Sequence, residues 1–365
     1  MPQKIIFYPI GNAETCYLEL NCGSKILFDY AAMYNGSDQD KRYDIKKDLS
    51  EIGYFDIVMF SHAHDDHTKG ASDFFYLEHA KKYQSGKRAK IGELWISSAF
   101  ILDTDLENQS DAKIIREEAR YRLKKHQGIK VFAEPDSMTE WLSAHDINYN
   151  DVSDLIIHAG TTINLPYPLK NEMRAFIHAP FSEDSEDIQN KNDPSIILQL
   201  GLLNNTNSGI RQTNILITGD TPYKVLDKIV DISKKHSNEA YLSWDIYDIP
   251  HHCSYTGLNE KPNDNDELIP SPNVQWLLHQ SSVNAYMVAS CDKVTAKTSP
   301  PHLIAKKAYE KYTKSDVSLL VTMEHTCNED APTPIIFEID SNGVTLKQNR
   351  SQDIYLNKSA PRAGD

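Results

Sequence analysis

The chain has 365 residues, 40% of them apolar and 25% charged, which is enough for one large globular domain or two smaller ones. Its net charge of −14 argues against a broad electrostatic footprint for nucleic acid or anionic membrane. The N-terminus has no signal-peptide layout, no apolar run approaches about 20 residues, and the five cysteines show no paired spacing. We therefore expect a cytoplasmic protein that makes no membrane contact and keeps its thiols reduced.

The first 60 residues predict a strand-rich opening. Three short apolar runs separated by turn residues predict consecutive strands at residues 4–8, 16–20 and 25–29. Three apolar residues at helical spacing then predict a short helix: Ile45, Leu49 and Ile52. The apolar run at residues 54–60 predicts a buried strand, and it leads directly into the most informative stretch of the chain.

That stretch is Ser-His-Ala-His-Asp-Asp-His at residues 61–67, which holds three of the 14 histidines within six positions. So many ligand-type side chains at the end of one strand are too many to bury as ordinary polar residues, because each needs a partner in a dry interior. Imidazoles and a carboxylate suit zinc, iron or manganese. A solvated loop rich in histidine and aspartate is the alternative interpretation.

The spacing of the motif indicates two ions. His62 and His64 are two residues apart in an extended segment, so both side chains point the same way and can hold one ion. Asp66 and His67 follow a turn and can face a second ion. Two such ions about 3.5–4 Å apart would share a water molecule, lower its pKa towards about 7 and produce a hydroxide nucleophile.

His-x-His-x-Asp-His after a buried strand resembles the signature of the metallo-β-lactamase superfamily, with matches at positions 62, 64, 66 and 67. The resemblance implies an α+β fold, a four-layer αββα sandwich with two sheets back to back and the metals at one sheet edge. It also implies that Asp29, at the end of an opening strand, lies behind the site and orients a ligand. An ordinary aspartate in a turn at the strand end is the alternative.

Residues 68–170 predict a helix at 72–83, a strand at 93–97, a charged helix at 112–126 and strands at 129–133 and 154–158. The charged helix carries the most basic stretch of the chain, including Arg116, Arg120 and Arg122, and is interpreted either as a solvated face or as a patch for an anionic ligand. We expect residues 98–170 to form an elaboration near the active site, or a docking surface for a protein partner.

The second half predicts a strand at 174–180, an acidic polar loop at 181–191, a strand within 192–200 and a loose connection at 204–212. The next strand ends in Gly219-Asp220, where the glycine allows a close turn and Asp220 can bridge two metals with one oxygen on each. A simple turn aspartate is the alternative.

After a predicted strand at 241–249 come Pro-His-His-Cys-Ser at residues 250–254. Adjacent histidines point in different directions, so at most one readily coordinates the second ion. We favour His251 as that ligand, and we expect His252 to bind substrate or a ligating carboxylate, with the reverse assignment left open. A strand at 284–289, a helix at 301–312 and strands at 318–322 and 334–340 close the chain, before a polar tail at 346–365.

The ordered motifs over residues 1–345 look most like the soluble hydrolase domains of the ComEC type, a resemblance that implies phosphodiester hydrolysis. Two features depart from the wider superfamily. Residues 192–195 lack the third histidine of the first metal site, so that ion has fewer protein nitrogens or is bound by Asp193 or His178, and manganese becomes as plausible as zinc. Cys253 stands where a glycine is usual, and we interpret it as a spectator.

The sequence therefore predicts a dinuclear Zn²⁺ or Mn²⁺ hydrolase that acts as a phosphodiesterase or nuclease on a nucleic acid or nucleotide. The predicted metal ligands are His62, His64, Asp66, His67, Asp220 and His251, and the predicted catalytic residues are Asp66, Asp220 and His252. The alternatives are a hydrolase of a small ester, lactone or thioester, a partner-bound subunit of a defence-type system, and a di-iron redox centre. A basic lining around the metals would favour phosphodiesters, and an apolar pocket would favour the smaller substrates.

Overall fold

Two mixed β-sheets carry the fold in the computed structural model, which describes residues 2–108, 110–185, 192–263, 266–328 and 331–347. In chain order the strands are β1 Gln3–Phe7, β2 Cys16–Glu19, β3 Lys25–Phe28, β4 Tyr54–Phe60, β5 Phe75–Tyr76, β6 Ala89–Ser97, β7 Ile129–Phe132, β8 Ile156–Ile157, β9 Thr161–Thr162, β10 Met173–Ala179, β11 Ile197–Thr206, β12 Gly209–Ile217, β13 Trp244–Asp248, β14 Ser281–Ala289, β15 Ser318–Val321, β16 Thr326–Asn328, β17 Ala331–Pro332, β18 Ile335–Asp340 and β19 Gly343–Leu346.

Each large sheet has an antiparallel part and a parallel part. The first sheet has the order β19-β18-β1-β2-β3-β4-β6-β7-β8, with β5 beside β6, and its pairs are antiparallel as far as β3 and parallel from there on. The second sheet has the order β15-β14-β13-β12-β11-β10-β9, and its parallel pairs run from β12 to β15. Strands β16 and β17 form a small separate pair.

The α-helices are α1 Ile45–Asp48, α2 Asp65–Thr68, α3 Ala71–Phe74, α4 Ser98–Leu102, α5 Asp111–Lys124, α6 Asp136–Ala144, α7 Tyr149–Val152, α8 Tyr223–His236, α9 Pro272–Leu278 and α10 Leu303–Tyr312. Short 3₁₀ helices lie at Lys81–Tyr83, Ser153–Leu155, Leu169–Asn171, Glu239–Leu242, His251–Cys253, Tyr255–Gly257 and Thr322–Glu324. Serine side chains cap α5 and α9, where Ser110 and Ser271 accept from backbone N–H groups of the first turn.

Three hydrophobic clusters show how the sheets and helices pack. In β4, Ile57 and Met59 point into a cluster that the two sheets share, whereas Val58 and Phe60 point into a cluster that the first sheet shares with α5 and neighbouring helices. This alternation follows the two-residue period of a strand buried on both faces. The outer face of the second sheet packs with α8, α9 and α10 in the third cluster.

Two predicted elements are wrong. The helix predicted at 72–83 is instead the short α3 followed by β5, because Phe75 and Tyr76 pair with β6 and Phe75 joins an aromatic cluster with Tyr30 and Phe74. The loose connection predicted at 204–212 is the paired end of a long hairpin, in which Asn204 lies opposite Arg211. Polar strand ends that project from a sheet look like a loop in the sequence, since they lack apolar alternation.

The predicted elaboration at residues 98–170 contributes strands to both sheets. Strands β7 and β8 extend the parallel part of the first sheet, and β9 pairs with β10 of the second. The strand predicted at 154–158 is shorter, at Ile156–Ile157, and follows a 3₁₀ turn. Residues 186–191 of the predicted acidic loop lie outside the described residues, as does the predicted tail from residue 348 on.

Candidate metal centre

The side chains of the histidine motif meet those of Asp220 and His252 where strands of both sheets end. The motif follows β4 of the first sheet, Asp220 follows β12 of the second, and His251 and His252 follow β13. Each of these strands belongs to the parallel part of its sheet, and the carboxyl ends of such strands are where ligands bind in sheets of this kind. The structure therefore brings together residues that are nearly 200 positions apart in the sequence.

The histidine motif turns sharply after β4. His62 is buried, and its Nε2 lies 2.9 Å from Nδ1 of His64, which is the residue before α2. Asp66 and His67 lie within α2, with His67 fully buried. His62 and His64 thus precede α2 and Asp66 and His67 lie within it, but the four side chains are close together in space, since the rings of His62 and His67 are 4.1 Å apart and Asp66 is close to both His62 and His64.

Asp220 lies between the two groups of imidazoles. Its Oδ1 is 3.3 Å from Nε2 of His67 and 3.6 Å from Nε2 of His252. Its Oδ2 is 3.8 Å from Nε2 of His62 and 3.8 Å from Nε2 of His251. One carboxylate thus faces two different sets of nitrogens with two different oxygens.

Gly219 makes this position possible. Its φ of +51° lies in the left-handed region, and a Cβ there would be 3.1 Å from Cβ of Ser61. The hydroxyl of Thr218 donates to the carbonyl of Asp248 at 2.6 Å, which ties the end of β12 to the end of β13. The turn that carries Asp220 therefore packs directly against the residue that precedes His62.

The segment that carries the two adjacent histidines has an unusual backbone. His251, His252 and Cys253 have φ values of 51°, 51° and 61°, a left-handed run that non-glycine residues rarely adopt. Glycine would adopt this conformation without strain, so the backbone at position 253 favours a glycine although the residue there is Cys253. The backbone N–H of His251 donates to the carbonyl of Gly219 at 3.1 Å, which fixes the segment beside Asp220.

The two histidines point in different directions, as expected. The sequence favours His251 as the ligand of the second ion, whereas in the structure it is His252 that lies close to Asp66, His67 and Asp220. Nε2 of His252 lies 3.2 Å from Oδ2 of Asp66, and its Nδ1 lies 2.8 Å from the carbonyl oxygen of Ser290. His251 lies on the other side of Asp220, and its Nδ1 is 2.9 Å from the hydroxyl of Thr256.

Three overlapping groups of described residues have ligand atoms within 4.8 Å of one another: Asp66, His67, Asp220 and His252; His62, His64 and Asp66; and Glu14, Asp29 and His67. In the first group, Nε2 of His67 and Oδ1 of Asp220 are buried and face each other at 3.3 Å, but neither makes a hydrogen bond of good geometry. Buried polar atoms without partners are costly unless something binds them. Imidazole nitrogens and carboxylate oxygens are suitable donors for a divalent cation, so the residues fit a metal centre.

Asp29 contacts His67 on the ring nitrogen that faces away from Asp220. Its Oδ2 is 2.7 Å from Nδ1 of His67, and its two oxygens accept from the backbone N–H and the hydroxyl of Ser61 at 2.7 and 2.6 Å. A carboxylate on one ring nitrogen fixes the imidazole orientation and directs the other nitrogen towards the site.

Two further buried carboxyl groups lie near His67, and the sequence pattern does not predict either of them. Glu14 and Asp248 are both buried, and Oε2 of Glu14 is 3.9 Å from Nδ1 of His67. Burial, and next the neighbouring Glu14, hold the pKa of Asp248 well above its usual value. Asp248 is the last residue of β13, the strand that precedes the two histidines, and this position could have indicated a residue of the site. Nothing in the local sequence singles out Glu14.

The ionisable groups of the site shift each other's pKa values in opposite directions. Burial acts to raise the pKa of Asp220, but the positive charges of His252 and His67 hold it well below its usual value. Burial acts to lower the pKa of His67, but Asp29 and Asp220 hold it well above its usual value. Burial, and then the charge of His67, lower the pKa of His62. Without metal the site thus holds ionised carboxylates and protons on some of its imidazoles.

The other predicted ligands lie elsewhere. His178 is buried beside Phe176, its Nε2 is 3.0 Å from the carbonyl oxygen of Tyr241, and burial lowers its pKa to about 4. Neither His178 nor Asp193 belongs to a group of three or more close ligand-type side chains in the described parts of the chain.

A cavity of about 540 Å³ opens beside the candidate centre, and its walls include His64 and Asp66. The remaining lining residues are Ala63, Asp65, Asp105, Leu106, Glu107, Ser110 and Ala112. Four carboxylates and no lysine or arginine are among the described residues that line this cavity, so its electrostatic potential is unfavourable to a polyanion.

The arginines of α5 neither lie in solvent nor form an anion site. Arg116 and Arg122 are buried, and Arg116 donates to the carbonyl of Asp103. Arg122 pairs with the buried Glu118 at 2.8 Å, and Arg120 donates to the carbonyl of Ile101. Arg116 and Arg122 therefore belong neither to a solvated helix face nor to a patch for an anionic ligand, because both are buried and hydrogen-bonded within the protein.

No family model and no curated protein sequence matches the chain. Among solved structures, the chain is similar to the metallo-β-lactamase SMB-1 in complex with mercaptoacetic acid, at 10% sequence identity and a TM-score of 0.28. The match covers 69% of this chain and 80% of that one. At this TM-score the likeness carries no argument about fold or activity.

None of the described helices is both long and apolar enough to cross a bilayer.

Proposed function

We propose that the protein is a metal-dependent hydrolase with two divalent ions at the candidate centre. The observation that carries the proposal is the position of Asp220, whose Oδ1 faces His67 and His252 while its Oδ2 faces His62 and His251. When bound, such a pair of ions supplies Lewis acid chemistry and activates water at neutral pH.

The proposed division of ligands follows the distances. His62, His64 and Asp220 would hold the first ion, and Asp66, His67, His252 and Asp220 would hold the second. Metal affinity then depends on both sheets, since each set combines residues that follow strands of the first sheet with residues that follow strands of the second.

Asp66 is the proposed proton acceptor. Burial acts to raise its pKa, but the hydrogen bond with His252 and the charge of His67 hold it below the usual range, so the side chain is ionised at neutral pH. Asp66 also lines the 540 Å³ cavity, and its side chain is 31% exposed, whereas that of Asp220 is 3% exposed. A carboxylate open to the cavity is within reach of a water or substrate that enters there.

We propose further that the fold is that of the metallo-β-lactamase superfamily, with four layers and one hydrolase domain over residues 1–345. The histidine motif supports this placement, as do the hydrophobic cluster between the two sheets and the clusters that join each sheet to helices. The role of 98–170 as a surface for a protein partner has less support, because Tyr167 is the one large apolar side chain of that segment, among its described residues, that is exposed.

The substrate we propose is a small phosphodiester, with zinc or manganese as the metal. Two cations at the bottom of the site would attract a phosphate group despite the acidic surroundings. The carboxylates of the cavity and the net charge of −14 disfavour a nucleic acid polymer, which carries many negative charges beyond the one that reacts. A small ester, lactone or thioester is the second candidate, since Ala63, Leu106 and Ala112 give the cavity an apolar part.

The test is metal analysis of the purified protein together with hydrolysis of a panel of substrates: a simple phosphodiester, cyclic dinucleotides, RNA, single- and double-stranded DNA, and small esters, lactones and thioesters. We expect about two ions per chain and hydrolysis of the small phosphodiester. With metal loading checked, Asp66→Ala is expected to lower the rate about 100-fold or more, because the proton acceptor is lost.

Asp73→Ala is the matched control, because Asp73 is an exposed aspartate on α3 outside the centre. It should retain the wild-type rate. A wild-type protein that binds no metal would overturn the proposed function. An Asp66→Ala variant with full metal and an unchanged rate would remove only the role of Asp66.

A further inference from the structure

We propose that His251 is a third imidazole ligand of the first ion. The inference rests on the proposed function and adds a ligand to it. Three imidazoles, from His62, His64 and His251, would then hold the first ion together with Oδ2 of Asp220.

The distances around Asp220 support this assignment. Donors that share one zinc ion at bond lengths of about 2.0–2.2 Å lie roughly 3–4 Å from each other. Nε2 of His251 and Nε2 of His62 are each 3.8 Å from Oδ2 of Asp220. Nε2 of His252 instead lies close to Oδ1 of Asp220 and to Asp66. The two adjacent histidines therefore face different oxygens of the Asp220 carboxylate.

The ring of His251 is held in the orientation that a ligand needs. Its Nδ1 is 2.9 Å from the hydroxyl of Thr256, which in turn donates to the hydroxyl of Ser254 at 2.9 Å. With Nδ1 used in this way, Nε2 is the nitrogen that faces Asp220. A hydrogen bond on the outer nitrogen is the usual support for a metal-bound imidazole, and its loss typically weakens metal binding 10- to 100-fold.

The backbone also directs His251 to this place. Its N–H donates to the carbonyl of Gly219, one residue before Asp220, and its ring lies 6.3 Å from that of His252 at an angle of 72°. The side chain of His251 is 26% exposed, compared with 4% for His252, so His251 lies on the more open side of Asp220. His178, a histidine that the sequence offers as an alternative, instead has its Nε2 3.0 Å from the carbonyl oxygen of Tyr241.

This assignment has a chemical consequence for metal choice. The first set would hold three nitrogens and one oxygen, and the second would hold two nitrogens and two oxygens. Imidazole-rich tetrahedral sets suit zinc, whereas carboxylate-rich sets suit manganese better. We therefore expect the first site to prefer zinc more strongly than the second does.

The experiment is a calorimetric titration of the metal-free full-length protein with Zn²⁺, repeated with Co²⁺ to record the visible spectrum of each site. Wild-type protein should bind two ions. His251→Ala should keep one site at wild-type affinity and weaken the other at least 10-fold, with a changed Co²⁺ spectrum for that site only. Thr256→Val should weaken the same site by a smaller factor, because the ring loses its orienting partner while the nitrogen remains.

His302→Ala is the matched control, a histidine that packs against Tyr255 in the same region but whose Nε2 lies 3.0 Å from the hydroxyl of Ser299 and not beside Asp220. It should bind two ions as wild type does. Two unchanged sites in both His251→Ala and Thr256→Val would overturn this inference and leave the proposed function standing. A wild-type protein without metal affinity would instead overturn the proposed function. Thermal melts of the metal-free variants verify folding, and Thr256→Val still decides the question if His251→Ala does not fold.

Discussion

His252 lies buried between Asp66 and Asp220, and this environment affects how the metal-free protein responds to pH. Burial acts to lower its pKa, but the two carboxylates raise it to about 9. A proton on His252 therefore stabilises the folded protein in the absence of metal. A metal ion that takes Nε2 must displace this proton, so metal binding releases protons and becomes tighter as pH rises.

We expect metal-free protein to lose stability between pH 6.5 and pH 9. The folded pKa of His252 lies above the ordinary value of 6.5, so its contribution is complete below pH 6.5 and disappears as pH rises through about 9. The difference is on the order of 3 kcal/mol. Urea unfolding with a chelator at several pH values measures it. His252→Gln should show a flatter pH dependence, and an equal slope in both proteins would contradict the assignment.

Single residues also show what the sequence could reveal about the site. The motif at 62–67, Asp220 and the pair at 251–252 were found because ligand-type side chains follow apolar strands. The choice between His251 and His252 could not be made in the same way, because it depends on three consecutive left-handed residues. Glu14 was missed because its contact with His67 joins residues that are distant in the sequence.

At the scale of elements, α5 docks on the first sheet through buried charges as well as apolar residues. Its Glu118 is buried and accepts from Arg122 at 2.8 Å, and it also lies 3.0 Å from Nδ1 of His79. Burial acts to raise the pKa of Glu118, but His79 and Arg122 lower it to about 2. Arg122 also donates to the carbonyl of Gly128, next to the start of β7. The helix is therefore fixed to the sheet by hydrogen bonds of Arg122 to carbonyl oxygens, and Glu118 of the same helix balances the buried charge of Arg122.

Arg122→Met should destabilise the protein by about 3 kcal/mol, because Glu118 would remain buried without its main charge partner. The free energy of unfolding in urea, measured by circular dichroism, checks this. The double variant Arg122→Met/Glu118→Leu should recover much of the loss, since neither charge is then buried. Lys124→Met, at an exposed position of the same helix, is the control and should change stability little. A loss for Arg122→Met no larger than that of the control would contradict the role of the pair.

Elements were predictable where apolar periodicity was clear and tertiary contacts did not override it. The strands before the histidine motif and before Asp220 were predicted from apolar runs, and both are present. The prediction of a helix at 72–83 is wrong because Phe75 packs in an aromatic cluster with Tyr30 and Phe74, and does not form the apolar face of a helix. Helices α6, α8 and α9 were not predicted, although Val225, Leu226, Ile229 and Val230 of α8 have helical spacing.

At the scale of the whole molecule, the proposed ligands join the two sheets. His62 and His64 follow a strand of the first sheet, whereas Asp220 and His252 follow strands of the second. Ions that bind all of them would stabilise the folded state and not the unfolded chain, in which these residues are far apart. The centre therefore has a structural effect as well as a chemical one.

We expect Zn²⁺ or Mn²⁺ to raise the melting temperature of metal-free protein, and a chelator to reverse the change. Each site should add roughly 3 kcal/mol when the free ion exceeds its dissociation constant 100-fold. Differential scanning calorimetry measures the shift. Asp220→Asn should lose most of it, because the asparagine keeps one oxygen and no charge for two ions. A melting temperature that is the same with metal bound and with metal removed would contradict a link between the sheets.

The contact between Gly219 and Ser61 has a consequence for how this centre can change in evolution. A methyl group at position 219 would come within 3.1 Å of Cβ of Ser61, so the spacing between the two halves of the ligand set depends on the lack of a side chain there. A side chain there would be strained by the φ of +51° as well as by this contact. Substitution at position 219 would therefore disturb the ligand set without removing any of its ligands.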